Sequence, residues 1–567
     1  MSRLIVEQDV WMSTRDGVRL AADVYRPDDN APHPVLLHRT PYGKSTASFV
    51  SAIVADPIEL VRNGYVVVVQ DVRGRFRSEG EWAPFVQEQT DGYDAVEWAA
   101  VQPWSDGNVG IYGSSYVAFT SYQAAAARPP HLKAAVPIVG NCNYMDGCIR
   151  TSGLFELGFN ATYALMVAFD AIKRLPEAEK IVRRKLLARA MADPWATLWQ
   201  LPLNRIEVLR ELPHWKKMIE EEPDSEYWAS SNLEAHPERI QVPLLQVVAY
   251  QDWLSPSAIR LFERIQRTGP HRLVAGPWSH AGAYDGHCGA RDYRGIAPGG
   301  PAFHVPLIVS WFDRWLKGRP QQDSSPAVRY FQTGENRWLE TESWPPPGSQ
   351  VTYYLDSGGH ANSRSGDGRL MTGAAGSGAE DRFRYDPHNP VPTKGGLIFF
   401  LAPVLIPDGV QDQGEVEDRD DVLVYTSDTL NAPVRIAGEV FVRLFASSSA
   451  EDTDFVVKLV DVEPNGYAAN VTEGGLRARY RNGGHADWLT PGNITEFTIE
   501  LMQTAHTFQP GHRLRLEISS SNFPRFSRNL NCRVLPETGS AEDMLVAEQR
   551  IFHSAAHPSC LIMRVTQ

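Results

Sequence analysis

Along the first quarter of the chain, short apolar runs alternate with segments whose apolar residues recur at every third or fourth position. The runs "HPVLLHRT" (33–40), "YVVVVQDVRG" (65–74), "NVGIYGS" (108–114) and "LKAAVPIVG" (132–140) are β-branched and apolar at successive positions, which predicts strands buried on both faces. Between them, "FVSAIVADPIELVRNG" (49–64), "DGYDAVEWAAVQP" (91–103) and "SYVAFTSYQAAAARPP" (115–130) carry helical spacing, and Asn63-Gly64 supplies a helix stop. Strand and helix in alternation from 30 to 140 predict a parallel α/β sheet, the first part of an α/β domain spanning residues 1–140.

The pattern then breaks. Residues 141–240 hold helical segments such as "EAEKIVRRKLLARAMADPWATLW" and no convincing strand, so an inserted helical cap is expected there. From 241 to 345 the first pattern returns, with strands in "VPLLQVVAYQD" (242–252) and "HRLVAGPWSH" (271–280) around the helical "SAIRLFERIQRTG" (257–269), and a closing helix in "VPLIVSWFDRWLKG" (305–318). A Gly/Ser-rich tract (356–380) leads into period-two segments: "EVFVRLFAS" (439–447), "DFVVKLVDV" (454–462), "TEFTIELM" (495–502) and "RLRLEIS" (513–519). Residues 346–567 are therefore expected to form an all-β sandwich or jelly roll.

Composition narrows the function. A chain of 567 residues exceeds what one hydrophobic core supports, in keeping with several domains. Its 43% apolar and 22% charged residues are those of an ordinary soluble protein, and a net charge of −13 disfavours nucleic-acid or anionic-membrane partners. The start, "MSRLIVEQDVWMSTRDG", lacks a signal pattern and no segment reaches membrane-spanning length, so a cytoplasmic protein is expected. Five cysteines without C-x-x-C spacing suggest neither a disulfide framework nor a zinc site.

The chemistry centres on "NVGIYGSSYVAF" (108–119). A serine hydroxyl becomes a nucleophile only when held exposed beside a base and near oxyanion donors, and a sharp strand-to-helix turn spelled G-x-S-x-G provides that. Gly113 stands two before Ser115, whereas Val117 takes the place of the second glycine. A helix-capping serine is the competing reading. In such a sheet the acid and base follow the nucleophile in the order Ser, Asp, His, each past a strand end. Asp252 after "PLLQVVAYQ" and His280 after "RLVAGPWS" fit that order. Asp71 precedes the serine and suits turn stabilisation, and His287 lies in a glycine-rich loop with no strand to aim it. The oxyanion donors would be the Tyr116 N–H and a group after the first strand, where "HRTPYGK" (38–44) places Tyr42; packing alone also accounts for that tyrosine.

These segments, together with "RDGVRLAADVYRP" (15–27), "DVRGRFRSEGEW" (71–82), "GPWSH" (276–280), "DRDDVLVYTSD" (418–428) and "SSSNFPRFSRN" (519–529), closely resemble the cocaine esterase branch of the X-prolyl dipeptidyl peptidase-like (CocE/NonD) serine hydrolases along the whole chain. The resemblance implies an α/β-hydrolase domain with a helical insertion and a C-terminal jelly roll. It also implies Ser115 as nucleophile, His280 as base, Asp252 as acid, and Tyr42 with the Tyr116 amide as oxyanion hole. The chemistry it implies is ester hydrolysis through an acyl-enzyme, with no cofactor or metal. Two departures stand out. "AYQDW" replaces a glycine-aromatic pair before the acid, and Ala118 replaces a glycine after the nucleophile, each expected to add bulk near the pocket.

The expected substrate is a small-molecule ester with a bulky aromatic or alicyclic acyl group. The lid segment "TSGLFELGFNATYALMVAF" (151–169), with Phe155 and Phe159, and Trp253, Leu254 and Trp278 beside the acid and base are the candidate pocket residues. Relatives acting on α-amino acid esters or β-lactam side chains carry carboxylates just after the acid, where this chain has Leu254 and Ser255; Asp146 would supply one charge at most. Amidase or acylase action is the alternative, followed by X-Pro dipeptidyl peptidase action, and a glycan-binding role for the jelly roll is the rival from another class. An exposed strand edge in the β domain offers a surface for homodimer pairing.

Overall fold

The run of valines at 66–69 and its neighbours form the middle of a ten-stranded sheet, because residues apolar on successive positions are stable only where both faces are covered. The computed structural model describes residues 3–46, 53–222, 224–319, 326–373, 380–400 and 406–567. The sheet's strands are β1 (Leu4–Ser13), β2 (Arg19–Pro27), β3 (His33–Thr40), β4 (Val66–Asp71), β5 (Ser105–Ser114), β6 (Leu132–Ile138), β7 (Leu245–Gln251), β8 (Arg272–Ser279), β9 (Val328–Gln332) and β10 (Arg337–Thr341). They lie in the order β1-β2-β4-β3-β5-β6-β7-β8-β9-β10. From β4 to β9 neighbours run parallel; β1, β2 and β10 are antiparallel additions at the two edges.

Helices cover both faces. Helix α1 (Pro57–Arg62), capped by the Asp56 carboxylate, is shorter than the predicted segment 49–64, of which residues 49–52 lie outside the described ones. Helices α2 (Glu88–Ala100) and α3 (Tyr116–Ala127) follow β4 and β5. Between β6 and β7 come α4 (Leu157–Lys173), α5 (Glu177–Ala192) and several shorter helices, and the only strands among the described residues there are the pair Arg150–Thr151 and Leu154–Phe155. Helices α6 (Ser255–Ile265), α7 (Gly282–Asp285) and α8 (Gly300–Lys317) complete the layer set. One apolar core joins the sheet to α2, α3 and α4, and a second lies on the opposite face under α8.

The C-terminal part is a barrel around its own core. Its strands are β11 (Ser349–Asp356), β12 (Arg369–Met371), β13 (Glu380–Tyr385), β14 (Leu423–Ser427), β15 (Val434–Ser448), β16 (Asp454–Val462), β17 (Ala468–Arg477), β18 (Thr495–Phe508), β19 (Arg513–Ser519), β20 (Ala547–Phe552) and β21 (Cys560–Val565). Nine of them close a ring in the order β15-β18-β17-β16-β19-β14-β12-β11-β21, with β21 returning to β15, while β13 and β20 flank it. Among the described residues no helix is long and apolar enough to cross a membrane.

Candidate active site

Ser115 sits where β5 ends and α3 begins, with φ 59° and ψ −127°. That conformation is unfavourable for a residue with a side chain, by on the order of 1–3 kcal/mol, and it persists only where the surroundings fix it. Gly113 permits it, since a Cβ there would lie 2.1 Å from the Val117 side chain. On the far side Gly140 makes room, because a Cβ would meet Ala118 at 2.3 Å. Ala118 is thus buried behind the turn against Gly140, and it does not add the bulk to the pocket that its sequence position suggested.

The candidate acid and base follow the parallel strands β7 and β8, which lie beyond β6 in the sheet. Asp252 follows β7 and is wholly buried; it accepts from the Leu254 N–H (3.2 Å) and the Ser255 hydroxyl (2.8 Å). His280 follows β8, with Nδ1 3.0 Å from Asp252 Oδ1 and Nε2 3.2 Å from Ser115 Oγ. A carboxylate can only accept, so Nδ1 carries the proton and Nε2 turns its lone pair to the serine. Ser255, met in the sequence only as a place where a carboxylate is missing, is the hydroxyl that fixes the acid.

On the other side of Ser115 stands Tyr42, whose hydroxyl reaches the Ser115 and Tyr163 side chains and whose burial pushes the phenol up to about 12. Its loop is pinned twice: the Lys44 N–H donates to Asp71 (2.6 Å) and the Arg75 guanidinium donates to the Pro41 carbonyl (3.1 Å). Tyr116 opens α3, so its N–H has no intrahelical acceptor. The Tyr116 ring is anchored below by its hydroxyl, which donates to Glu88 (2.8 Å) and accepts from the Phe85 N–H (3.1 Å), while Arg39 pairs with the same buried glutamate (2.8 Å).

The walls are aromatic. Trp253 and Phe399 each stand 4.8 Å from the His280 ring, and Phe159 packs on Trp253 at 4.5 Å with Tyr163 behind it. Tyr284, on α7, brings its hydroxyl within 3.3 Å of His280 Nε2. Phe399, Tyr163 and Tyr284 were not singled out by the sequence; of these only Tyr284 leaves a signal, its four-residue spacing from His280.

Two candidate pocket residues are placed elsewhere. Trp278 is completely buried on the opposite face of the sheet, donating to the Ala297 carbonyl (2.8 Å) and packing on Phe303 and Trp338. Phe155 is core, edge-on to Trp215 and beneath the Arg150 guanidinium. Leu254 is buried and meets the site through its N–H. His287 lies half-buried in a short hairpin beside Asp285, and Asp146 is paired with Arg260 at 2.7 Å. Among the described residues no group of three or more His, Cys, Asp or Glu is arranged to hold a metal ion.

Comparison with known proteins agrees along the whole length. The model of the X-Pro dipeptidyl-peptidase (S15) family matches residues 16–282, and that of the X-Pro dipeptidyl-peptidase C-terminal non-catalytic domain matches 321–562. A cocaine esterase from Rhodococcus sp. (strain MB1 Bresler) is 35% identical over 574 residues, covering 99% of this chain and 98% of its own. Among solved structures, an aminopeptidase from the marine sediment archaeon Thaumarchaeota archaeon superposes with a TM-score of 0.81 at 26% identity, over 100% of this chain and 97% of its own. An α-amino acid ester hydrolase does so with a TM-score of 0.80 at 27% identity and the same two coverages. In sequence, domain order and fold, the chain belongs to the cocaine esterase-like serine hydrolases of the X-Pro dipeptidyl-peptidase (S15) family.

Proposed function

We propose that this enzyme is a carboxylesterase that hydrolyses small-molecule esters with bulky aromatic or alicyclic acyl groups, using Ser115, His280 and Asp252. The observation that carries the reading is the unbroken line of contacts from Asp252 through His280 to Ser115, at 3.0 and 3.2 Å. In acylation the Ser115 oxygen attacks the acyl carbon as its proton passes to His280 Nε2, and Asp252 stabilises the imidazolium. The carbonyl oxygen becomes an oxyanion between the Tyr42 hydroxyl and the Tyr116 N–H. Nε2 then protonates the departing alkoxide, and a water deprotonated at the same nitrogen releases the acid and restores Ser115.

Phe159, Trp253 and Phe399 support the acyl preference, since aromatic walls favour a broad apolar group. Action on α-amino acid esters is the second reading, favoured by the solved relative of that name. It is the weaker one because Asp146 is already held by Arg260, which also pairs with Glu234, and Ser255, which has no charge, is committed to Asp252. Within the same reading the barrel is a jelly roll, residues 141–240 cap the site, and five unpaired cysteines suit a cytoplasmic protein.

The test is turnover of p-nitrophenyl acetate, butyrate and benzoate, a phenylglycine methyl ester and an X-Pro anilide, each with Ser115→Ala beside it. Benzoate should be the best of the plain esters, and its rate should fall roughly 10⁴-fold or more in the variant. Cleavage of only the phenylglycine ester or the anilide would move the enzyme to an amino-acyl reading; equal rates in parent and variant would remove Ser115 from the chemistry.

A further inference from the structure

Two hydroxyls share the one lone pair of His280 Nε2. Ser115 lies at 3.2 Å and Tyr284 at 3.3 Å. The base needs only the first to activate the nucleophile, so the second requires its own explanation. Tyr284 is not a loose neighbour. Its ring crosses the imidazole at 80° with centroids 5.7 Å apart, its hydroxyl also meets the Ser114 side chain, and its N–H donates to the Ala281 carbonyl at 2.9 Å. The backbone around it is tightly packed: a Cβ on Gly282 would lie 1.7 Å from the His287 carbonyl oxygen, and one on Gly300 would lie 2.4 Å from the Tyr284 carbonyl oxygen. Burial holds the phenol far above its ordinary value, so it keeps its proton at every working pH.

The position of this hydroxyl matters because of what must come to Nε2. Once Ser115 has given up its proton, the imidazolium still gives its Nδ1–H to Asp252 and has one N–H, at Nε2, facing the reacting atoms; that one must reach the leaving-group oxygen for the C–O bond to break. The oxyanion is held on the other side, where Tyr42 meets Ser115. An oxygen within hydrogen-bond reach of Nε2 and bonded to the tetrahedral carbon on Ser115 therefore arrives beside the Tyr284 hydroxyl.

Taking the Ser115–His280–Asp252 assignment as its basis, we propose that Tyr284 is a further catalytic residue: its hydroxyl donates a hydrogen bond to the leaving-group oxygen in acylation and to the attacking water's oxygen in deacylation. The proton balance is unchanged. The proton transferred in acylation goes from Ser115 to Nε2 and on to the leaving oxygen as the C–O bond breaks; Tyr284 lowers the charge on that oxygen without losing its own proton. The help is greatest for alkoxides, which cannot leave unassisted, and least for p-nitrophenolate, which is stable as an anion.

The experiment compares kcat/KM of the full-length parent and Tyr284→Phe on methyl benzoate and p-nitrophenyl benzoate, which share an acyl group and differ in leaving group. A fluorophosphonate, whose fluoride needs no proton donor, titrates the serine in both proteins. The variant should lose roughly 100-fold on the methyl ester and less than about 3-fold on the p-nitrophenyl ester, with labelling at the parental rate. Equal losses on the two esters, unchanged rates on both, or labelling lost together with activity would each overturn the proposal, the last by showing that the ring only supports the imidazole. Failure of the underlying assignment looks different: Ser115→Ala would keep its turnover, or the phosphonate would label another residue.

Discussion

At Ser115 an unfavourable backbone conformation is held by two glycines, Gly113 in front and Gly140 behind, and the hydroxyl is delivered between an imidazole and the partly buried Tyr42 phenol. Tyr42→Phe removes one of the two proposed oxyanion donors and leaves the ring packing intact, so kcat should fall about 100- to 1000-fold with KM little changed. Steady-state kinetics on p-nitrophenyl benzoate checks this, and an unaltered kcat would reduce Tyr42 to packing. The places of Ser115, Asp252 and His280 could be read from the sequence because each follows a strand, where a side chain is aimed by a rigid frame; Tyr42 follows one too, but its own residues left packing open and only the family resemblance marked it out. Trp278 was misread for a related reason. It is two residues before His280, which in a regular strand means the same face, but the register of β8 on β7 shifts between Gly276 and Ser279 and the chain turns away at His280. Phe399 was invisible because nothing local ties a residue of the C-terminal half to a histidine 119 positions earlier; only tertiary packing does.

At the scale of elements, Asp71 shows how a strand end serves a loop on the next strand. Its carboxylate accepts from the Lys44 and Arg77 N–H groups, holding the turn that presents Tyr42, and burial pushes it up to about 6 from a usual 3.8. Between those two values the folded chain keeps a proton that the unfolded chain releases, so stability from this group falls as pH rises through the window and is level above it. Asp71→Asn abolishes that slope. In urea denaturation the parent's stability minus the variant's should fall from pH 4.5 to pH 7.5 by on the order of 2 kcal/mol, and a difference that rises over that range would contradict the assignment. The parallel strands β3 to β8 could be read from the sequence, being uninterrupted apolar runs. The β1–β2 hairpin could not, since a register shift between Glu7 and Val10, with Asp9 at φ 54°, breaks the alternation by which an edge strand is recognised.

Across the whole molecule, Arg525 joins regions that the sequence keeps far apart. Its guanidinium pairs with Glu156 of the segment leading into α4 and with Glu473 on β17, all three nearly inaccessible to solvent. Arg525→Met leaves two buried carboxylates without their cation and should cost about 3–5 kcal/mol in chemical denaturation, whereas adding Glu156→Gln and Glu473→Gln should recover much of the loss. A single substitution that costs under about 1 kcal/mol would show the clamp to be dispensable. Period-two segments made the β character of the C-terminal half legible, but closure into a ring depends on β21 meeting both β11 and β15, a pairing that local patterns do not encode. The clamp also bears on how the protein comes into being. Arg525 lies 369 residues after Glu156. At a ribosomal pace of about 5–20 residues per second, the first carboxylate waits roughly 20–75 s for its cation. Ser115, Asp252 and His280 are all made before Phe399, so the α/β half is synthesised ahead of one of the rings that pack on His280 and well ahead of the cation that ties it to the barrel.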